Sequence, residues 1–353
     1  MDGEVAVAVP TGESVSPETS VPRLGFLGLG WIGRHRMRAL ADSGIAQVAA
    51  LADTAPECLD EARAVAPEAT ACKDFDAMLG QDLDGIVIAT PSALHAAQTI
   101  RALDHGMAVF CQKPLARSGA ETREVIASAI ANHRLLGVDF SYRYVRGIQQ
   151  MRERIRNGSL GDIYALSLVF HNAYGPDKPW FYRRESAGGG CVTDLGIHLV
   201  DLARWLLDFP AVEAVTSRCF AGGRELRPET DEVEDYATAR LDMAGGVGVD
   251  LACSWRLPIG RDADIQVAVY GTQAGMALKN VNGSFYDFRT ELYRGTAVEV
   301  LSEPADEGDW GGRAIIDWAH RLRRDTRFDP AITEVIAVAD TIDAIYGQEK
   351  SRG

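Results

Sequence analysis

The sequence predicts an α/β fold in two parts: an N-terminal doubly wound parallel sheet and a C-terminal α+β domain built on an open, mainly antiparallel sheet. Three observations support this prediction. An apolar segment runs directly into a glycine-rich turn at residues 23–33, strands and helices alternate over residues 22–140, and period-two strand patterns dominate after residue 140. Helices between strands are typical of βαβ units with right-handed crossovers, and period-two strands without intervening helices favour antiparallel pairing.

The composition excludes several classes of protein. A chain of 353 residues with 46% hydrophobic residues can bury the cores of two domains, and it contains no apolar run of the roughly 18–20 residues that cross a bilayer. A net charge of −14 disfavours nucleic acid or anionic membrane as a partner, because both require a basic surface. Six scattered cysteines without C-x-x-C pairs predict a cytoplasmic protein without a zinc site.

The first predicted strand ends in a G-x-G-x-x-G motif that is followed by a helix-like segment. Gly28 permits the tight turn, Gly30 lets the backbone approach a pyrophosphate, and Gly33 allows close packing of helix and strand. Trp31 and Ile32 occupy the variable positions, where amides at the helix start would face the phosphates. The motif predicts a dinucleotide site, although an isolated match is as often only a turn.

A second apolar strand, residues 47–52, ends at Asp53, 20 residues after Gly33. The dinucleotide fold places at this spacing the carboxylate that receives the adenosine ribose hydroxyls; the alternative is a solvated loop acid. Residues 54–57 contain no lysine or arginine that would neutralise a 2′-phosphate. We therefore expect NAD as the cofactor in preference to NADP.

The remaining elements of the first domain continue the alternation, with helices predicted at 56–66, 92–105 and 119–132 and strands at 85–90, 107–111 and 135–140. In such sheets ligands lie beyond the carboxyl ends of the strands. The residues that follow two of these strands are therefore candidate cofactor contacts: Thr90, Pro91, His95, Gln112 and Lys113. A histidine in the first turn of a helix, such as His95, is more often structural. Lys113 is one of only five lysines and is followed by Pro114.

Beyond residue 140, a helix at about 147–156 precedes a series of strands with a hairpin turn at 244–246, and the chain ends with helices at 313–323 and 331–346. The strands are predicted at residues 163–171, 212–220, 236–241, 247–255, 265–270, 275–279 and 297–301. Period-two alternation of this kind predicts a sheet with one face on a core.

These patterns divide the chain into three segments. Residues 1–21 carry four acidic side chains and no basic one, which predicts a disordered tail and not a signal peptide. Residues 22–140 are the expected dinucleotide-binding domain, and residues 141–353 the expected substrate and oligomerisation domain. The last helix, near 331–346, can pack back on the first domain.

One segment of the second domain combines apolar and ionisable residues. The segment 191–207 is predicted as a buried helix, and it carries Asp194 and His198 at the i and i+4 spacing that places both on one face. An isolated D-x-x-x-H is more often a buried ion pair. Three preceding glycines, residues 188–190, allow a flat ligand to approach the backbone, and together with Lys113 they favour an active site. Asp201 is interpreted as a structural partner.

Hydride transfer explains why these residue types occur together. A histidine with a pKa near neutrality can take the proton of a secondary hydroxyl, a contribution of about 10²–10⁴ in rate. A lysine ammonium bonded to the same oxygen stabilises the developing alkoxide. Asp194 would orient this pair and help to bind substrate hydroxyls.

The chain resembles the glucose–fructose oxidoreductase, inositol dehydrogenase and rhizopine-catabolism family (Gfo/Idh/MocA) from about residue 23 to the last helix. The resemblance rests on the following residues and motifs: Gly28 to Gly33, Asp53, residues 89–95, Lys113-Pro114, residues 188–190, Asp194, His198, Asp201 and the glycine pair of residues 271–275. It implies a Rossmann domain, a second domain whose sheet commonly forms homodimers or homotetramers, and catalytic roles for Lys113, Asp194 and His198. It often implies a cis bond before Pro114.

One residue departs from the family pattern. The family usually has glutamate before the catalytic lysine, whereas this chain has Gln112. The departure puts in doubt a charged contact to the nicotinamide ribose, but it does not affect the role of Lys113.

The substrate prediction is an alcohol or ketone of a sugar, a sugar derivative such as a glycoside or amino sugar, or a cyclitol. The aromatic and hydrogen-bonding segment 171–184 supplies four candidate contacts: Tyr174, Trp180, Tyr182 and Arg183. Two alternatives remain at this stage. The same scaffold could reduce C=N or C=C bonds, as in imine or biliverdin reductases, or it could serve as a non-catalytic NAD-binding regulatory subunit.

Overall fold

A computed structural model describes residues 21–227, 230–306 and 310–347 of the chain. The predicted N-terminal tail lies outside the described residues, except for Val21, which is exposed. The structure has two sheets, one parallel and one mainly antiparallel, which confirms the predicted fold class.

The first part of the chain alternates strands and helices, as its sequence predicts. Its elements are β1 (Arg23–Leu27), α1 (Trp31–Ser43), β2 (Gln47–Ala52), α2 (Pro56–Val65), β3 (Thr70–Ala71), α3 (Phe75–Leu79), β4 (Gly85–Ile88), α4 (Ser92–Asp104), β5 (Ala108–Cys111), α5 (Gly119–Ala131) and β6 (Leu136–Val138). All paired strands are parallel and lie in the order β3-β2-β1-β4-β5-β6. The order reverses between β1 and β4, so the carboxyl ends of these two strands open a crevice where such sheets bind ligands.

The second part begins with a 3₁₀ turn (Ser141–Tyr144) and is organised around long strands. Its elements are α6 (Arg146–Arg156), β7 (Ile163–Asn172), α7 (Arg184–Ala187), a π-helical turn (Val192–Gly196), α8 (Ile197–Leu206), β8 (Val212–Ala221), β9 (Arg224–Glu225), β10 (Tyr236–Met243), β11 (Val247–Ser254), β12 (Ala263–Gly271), β13 (Gly275–Asn280), β14 (Phe288–Arg294), β15 (Ala297–Ser302), α9 (Arg313–Arg324) and α10 (Glu334–Ile345). Short 3₁₀ turns precede α7, α9 and α10.

The nine strands lie in the order β15-β14-β13-β12-β7-β11-β10-β8-β9, and only β7 and β11 pair in parallel. The predicted hairpin turn is present between Met243 and Val247, where Gly245 and Gly246 both have positive φ. Strand β14 was missed by the sequence pattern. Its buried positions do alternate, but Arg289 and Glu291 between them resemble a polar loop.

The last two described helices, α9 and α10, contact helices α1 and α5 of the first part of the chain. On α9, Ile315, Trp318 and Leu322 are buried in one cluster with residues of β1, and Trp318 lies 5.6 Å from Phe110 of β5. Helix α10 contacts α5, where Asp340 forms an ion pair with Arg123. The two sheets are therefore held together at the chain's C-terminal end as well as through residues 139–146.

Among the described helices, none has the length and apolar character needed to cross a membrane.

Candidate active site

The glycine turn after β1 gives each of its three glycines a separate physical role. Gly28 has φ of 88°, and a Cβ there would strike the main chain at Ala89. A Cβ on Gly33 would overlap the carbonyl oxygen of Gly28, so this glycine lets α1 pack against the turn. Gly30 has φ of −59°, which any residue adopts, and a Cβ there would meet no atom within 4 Å. Neither packing nor backbone geometry requires glycine at position 30, so its open space is available to a ligand.

A cavity of about 870 Å³ extends from this turn to the segment of Asp194 and His198. Most of the residues that the sequence singled out line it: Gly28, Gly30, Trp31, Ile32, Asp53, Thr90, Pro91, His95, Gln112, Lys113, Trp180, Asp194 and His198. Four do not line it: Gly33, Tyr174, Tyr182 and Arg183. The structure therefore brings residues from both sheets to one cavity.

Asp53 lies at one end of the cavity, directly after β2. Its carboxylate accepts hydrogen bonds from the backbone amide of Leu29, in the glycine turn, and from that of Ala55 at 2.8 Å. These bonds orient the carboxylate and leave lone pairs on its oxygens for ribose hydroxyls. Lys73 also reaches this end of the cavity, although residues 54–57 contain no basic residue; its ammonium lies 3.8 Å from the Asp74 carboxylate.

His95, a candidate cofactor contact, lines the cavity, and its ring lies between two carbonyl oxygens of the protein. Its Nδ1 lies 2.7 Å from the carbonyl oxygen of Pro114, and its Nε2 lies 2.7 Å from that of Thr90. The ring is buried, and burial lowers its pKa. A neutral ring has one N–H, so His95 donates to one of these two carbonyl oxygens and lies against the other, between the loops after β4 and β5.

Lys113 and Asp194 form the central ion pair of the cavity. Nζ of Lys113 donates to Oδ1 of Asp194 at 2.8 Å and to its main-chain oxygen at 2.6 Å. The second carboxylate oxygen accepts from Nε1 of Trp255 at 3.1 Å. The first sheet supplies the lysine, the segment before α8 supplies the aspartate, and the tryptophan follows β11, so this contact joins the two sheets at the cavity.

His198 does not form the ion pair with Asp194 that an isolated D-x-x-x-H would suggest. The two residues share no hydrogen bond within the described residues, and the turn that carries Asp194 is π-helical where the sequence predicted a regular α-helix. Such widened turns are frequent at functional sites. Nδ1 of His198 is buried and meets no acceptor among the described residues, so Nε2 is the nitrogen open to the cavity.

The electrostatic environment keeps His198 neutral. Burial, followed by the positive charges of Lys113 and Arg36, lowers the pKa of His198 well below its usual value. The sequence-based expectation of a pKa near neutrality is therefore corrected downwards. A neutral imidazole can accept a proton, and it remains neutral through the physiological pH range.

Two of the three glycines that precede this segment are required by packing within the protein. A Cβ on Gly190 would overlap the backbone of Glu234, and one on Gly189 would overlap the hydroxyl of Tyr346. Gly189 and Gly190 do line the cavity. Their lack of a side chain is nevertheless required by the protein itself, because Glu234 and Tyr346 pack directly against them.

Glu234 is fully buried and accepts hydrogen bonds from the residues that precede Asp194. Its Oε1 accepts from the amides of Gly190 at 3.0 Å and Val192 at 2.8 Å, and from the hydroxyl of Tyr346 at 2.8 Å. The same hydroxyl lies 2.9 Å from Oγ1 of Thr193. Burial raises the pKa of Glu234 despite these bonds. Sequence reasoning missed this residue because the helix it caps lies more than 40 positions away.

Asp201 has the structural role expected for it. Its buried carboxylate accepts from Nε and Nη2 of Arg143, at 2.9 and 2.6 Å. Neither residue lines the cavity.

Five further cavity residues had no signal in the sequence: Arg36, Asp139, Tyr142, Tyr286 and Trp310. The ring of Tyr142 lies 4.8 Å from that of His198 and 4.9 Å from that of Trp310. Aromatic side chains therefore form the cavity wall beside the histidine, a surface suited to the apolar face of a ring-shaped polyol.

The aromatic segment before the glycines contributes less to the cavity than predicted. Trp180 lines it and stacks on Phe181 at 3.8 Å, and Phe181 also lines it. Tyr182 instead donates to the carbonyl oxygen of Pro176 and packs edge-on against Trp255, while Tyr174 and Arg183 are exposed. Of the four predicted substrate contacts, Trp180 lines the cavity and the other three do not.

Comparison with known proteins agrees with this architecture. Residues 22–140 match the model of an oxidoreductase family with an NAD-binding Rossmann fold, and residues 148–277 match the GFO/IDH/MocA C-terminal domain. An inositol 2-dehydrogenase of Gluconacetobacter diazotrophicus is 29% identical over 90% of this chain and 86% of its own length. D-glucoside 3-dehydrogenase of Escherichia coli is 32% identical, but over 55% of this chain and only 58% of its own length. Levoglucosan dehydrogenase in complex with NADH shares the fold, with a TM-score of 0.79 and 21% identity over 93% of this chain and 96% of that chain.

Proposed function

Because the chain belongs to the GFO/IDH/MocA family of oxidoreductases with an NAD-binding Rossmann fold, we propose that it transfers hydride between a nicotinamide cofactor and a secondary hydroxyl, or the matching ketone, of a sugar, sugar derivative or cyclitol. The observation that carries this proposal is a single cavity that is lined both by the glycine turn and by Lys113, Asp194 and His198. A binding subunit without catalysis would not need these three ionisable groups together.

The residues at the first sheet fit a dinucleotide. The open position at Gly30 accommodates a pyrophosphate close to the backbone, and the oriented carboxylate of Asp53 accommodates ribose hydroxyls. In this proposal Trp31, Ile32, Thr90, Pro91 and Gln112 also contact the cofactor. When bound, the cofactor supplies the hydride acceptor or donor.

The geometry of the other end of the cavity supports the catalytic roles that we propose. The neutral Nε2 of His198 takes the hydroxyl proton of the substrate during oxidation and returns it during reduction. The ammonium of Lys113 donates to the same substrate oxygen and stabilises its negative charge. Asp194 fixes the lysine at 2.8 Å and offers its remaining lone pairs to neighbouring substrate hydroxyls.

The names of the relatives support this substrate class. Those most similar to the chain include dehydrogenases of inositol, D-glucoside, D-apiose and levoglucosan. All of these substrates carry several hydroxyl groups on a compact carbon skeleton. None of these names refers to the reduction of a C=N or C=C bond.

We test the function with a fluorescence screen for NADH formation from NAD across free sugars, glycosides, amino sugars and inositols. We expect turnover on at least one polyol, and product analysis then identifies the oxidised carbon. Tight NADH binding without turnover on any alcohol or carbonyl would instead favour a regulatory subunit, and turnover only on imines or activated alkenes would favour the reductase alternative.

Replacing Asp53 with alanine should weaken NAD binding much more than NADP binding. The carboxylate accepts hydrogen bonds from the 2′-hydroxyl of NAD but repels a 2′-phosphate. Titration of both reduced cofactors by fluorescence measures the two dissociation constants. Lys73→Ala is the matched control at the same end of the cavity. If it changes the binding of either cofactor, it should weaken that of NADP. Equal losses for both cofactors in Asp53→Ala would refute the ribose role.

The assembly and domain roles complete the proposal. We infer that residues 22–140 bind the cofactor, that residues 141–353 supply the substrate side, and that the nine-stranded sheet forms a homodimer or homotetramer in the cytoplasm.

A further inference from the structure

Three polar side chains of the first sheet meet in the cavity wall beside the catalytic lysine. They come from α1, from the end of β5 and from the segment after β6, and they are Arg36, Gln112 and Asp139. Their exposed fractions are 5%, 6% and 1%. Nε of Arg36 donates to Oδ2 of Asp139 at 2.6 Å, and Nε2 of Gln112 donates to the same oxygen at 2.5 Å.

This arrangement fixes the orientation of the Gln112 amide. A carboxylate accepts hydrogen bonds and does not donate them, so the amide must direct its NH₂ group to Asp139. The amide oxygen is then the group left for the cavity that Gln112 lines. Because Gln112 directly precedes Lys113, this acceptor lies on the nicotinamide side of the proposed cofactor site.

The same contact explains the departure from the glutamate that the family resemblance leads one to expect. A glutamate at position 112 would place a second carboxylate against Asp139, at the position where the amide now donates. Two carboxylates that share one buried site repel each other, and one of them is forced to bind a proton. Glutamine at 112 and aspartate at 139 are therefore a matched pair.

A further feature indicates that the pair does more than stabilise the fold. Oδ1 of Asp139 is buried and has no hydrogen-bond partner among the described residues. An ion pair with an unsatisfied buried oxygen contributes little net stability, because desolvation offsets the attraction. Its clear structural effect is to hold the Gln112 amide.

We propose that Asp139 and Arg36 are positioning residues that fix the Gln112 amide with its oxygen toward the cavity, so that a neutral acceptor, and not a carboxylate, meets a hydroxyl of the nicotinamide ribose. This inference rests on the proposed cofactor site. It also predicts which redox state of the cofactor the site prefers. A carboxylate beside the nicotinamide would favour the positively charged NAD⁺ over NADH, whereas a neutral group does not.

The test compares Gln112→Glu, Asp139→Asn and the double variant by fluorescence titration of NADH and by its competition with NAD⁺. We expect Gln112→Glu to weaken NADH binding about tenfold or more, because it places two carboxylates together. The double variant again has one carboxylate beside Arg36. It should recover most of the affinity for NADH that Gln112→Glu loses. Relative to the wild type, it should also bind NAD⁺ more tightly in comparison with NADH. A purely structural defect would weaken both cofactors equally.

Gln98→Glu is the control for an added charge in the same cavity. Gln98 accepts from the Thr90 hydroxyl at 2.6 Å through an oxygen that glutamate retains. When Gln98→Glu is combined with Asp139→Asn, the second substitution should not restore cofactor affinity. Thermal unfolding identifies variants that fail to fold. If the Gln112→Glu variants do not fold, the single variant Asp139→Asn is the remaining test, and it should weaken NADH binding several-fold.

Two results would overturn the inference: Gln112→Glu binds NADH as the wild type does, or the double variant is no better than Gln112→Glu. These titrations need no substrate. A chain that shows the expected cofactor pattern but oxidises no polyol would therefore refute the proposed reaction and leave this inference intact.

Discussion

Turnover should fall at least about a hundredfold when either Lys113 or His198 is replaced by alanine, while NADH binding remains. The lysine variant loses the ammonium that stabilises charge on the substrate oxygen, and the histidine variant loses the group that takes its proton. Steady-state rates on the best substrate of the screen measure the loss, and fluorescence titration of NADH measures the cofactor site separately.

The pH profile assigns the loss to the histidine. The base works as neutral imidazole, and burial with the nearby Lys113 and Arg36 lowers the pKa of His198 well below its usual value of 6.5. The wild type should therefore keep its oxidation rate as the pH falls through 6.5 and lose it only at lower pH, where the ring becomes protonated. This acid limb should be absent from the residual activity of His198→Ala. Near-full activity of both alanine variants would disprove the proposed roles.

Local sequence signals were sufficient for the dinucleotide end of the molecule. The positive φ at Gly28, the close packing of Gly33 on the carbonyl oxygen of Gly28 and the carboxylate of Asp53 depend on neighbours within a few residues or on a fixed spacing along one βαβ unit. Lys113 was also identifiable, because the carboxyl end of a predicted parallel strand is a defined place. These features follow from backbone geometry, which sequence patterns encode directly.

Contacts between distant segments could not be predicted in this way. Arg36 and Asp139 are 103 positions apart and have the residue types of surface charges, yet they form a buried pair. The packing of Tyr346 on Gly189 and of Glu234 on Gly190, which excludes side chains at both positions, gave no signal in the sequence. The π-helical turn at Val192–Gly196 likewise has no distinctive sequence. Such features are determined by packing, which a single sequence does not reveal.

Replacement of Glu234 should have the second large effect on activity, because this side chain bonds to the residues that precede Asp194. Replacing it with alanine leaves the amides of Gly190 and Val192 without their acceptor, while the hydroxyl of Tyr346 can still donate to Thr193. Each buried donor left unsatisfied costs about 1–3 kcal/mol, so the fold should lose about 2 kcal/mol or more. The turn that holds Asp194 would also shift, and displacement by about 1 Å can reduce a rate by about a hundredfold. Thermal unfolding and kcat measure the two effects.

The graded variants separate positioning from stability. Tyr346→Phe removes one donor and leaves the Glu234 carboxylate on the two amides. It should therefore reduce both stability and kcat less than Glu234→Ala does. Glu234→Gln keeps the shape and one oxygen acceptor but places an NH₂ group near amide donors, so it should fall between the other two. At a temperature where every variant is folded, kcat should be highest in Tyr346→Phe, lower in Glu234→Gln and lowest in Glu234→Ala. The affinity for NADH should be nearly the same in all three. If kcat is unchanged in folded Glu234→Ala, the carboxylate stabilises the chain without positioning Asp194.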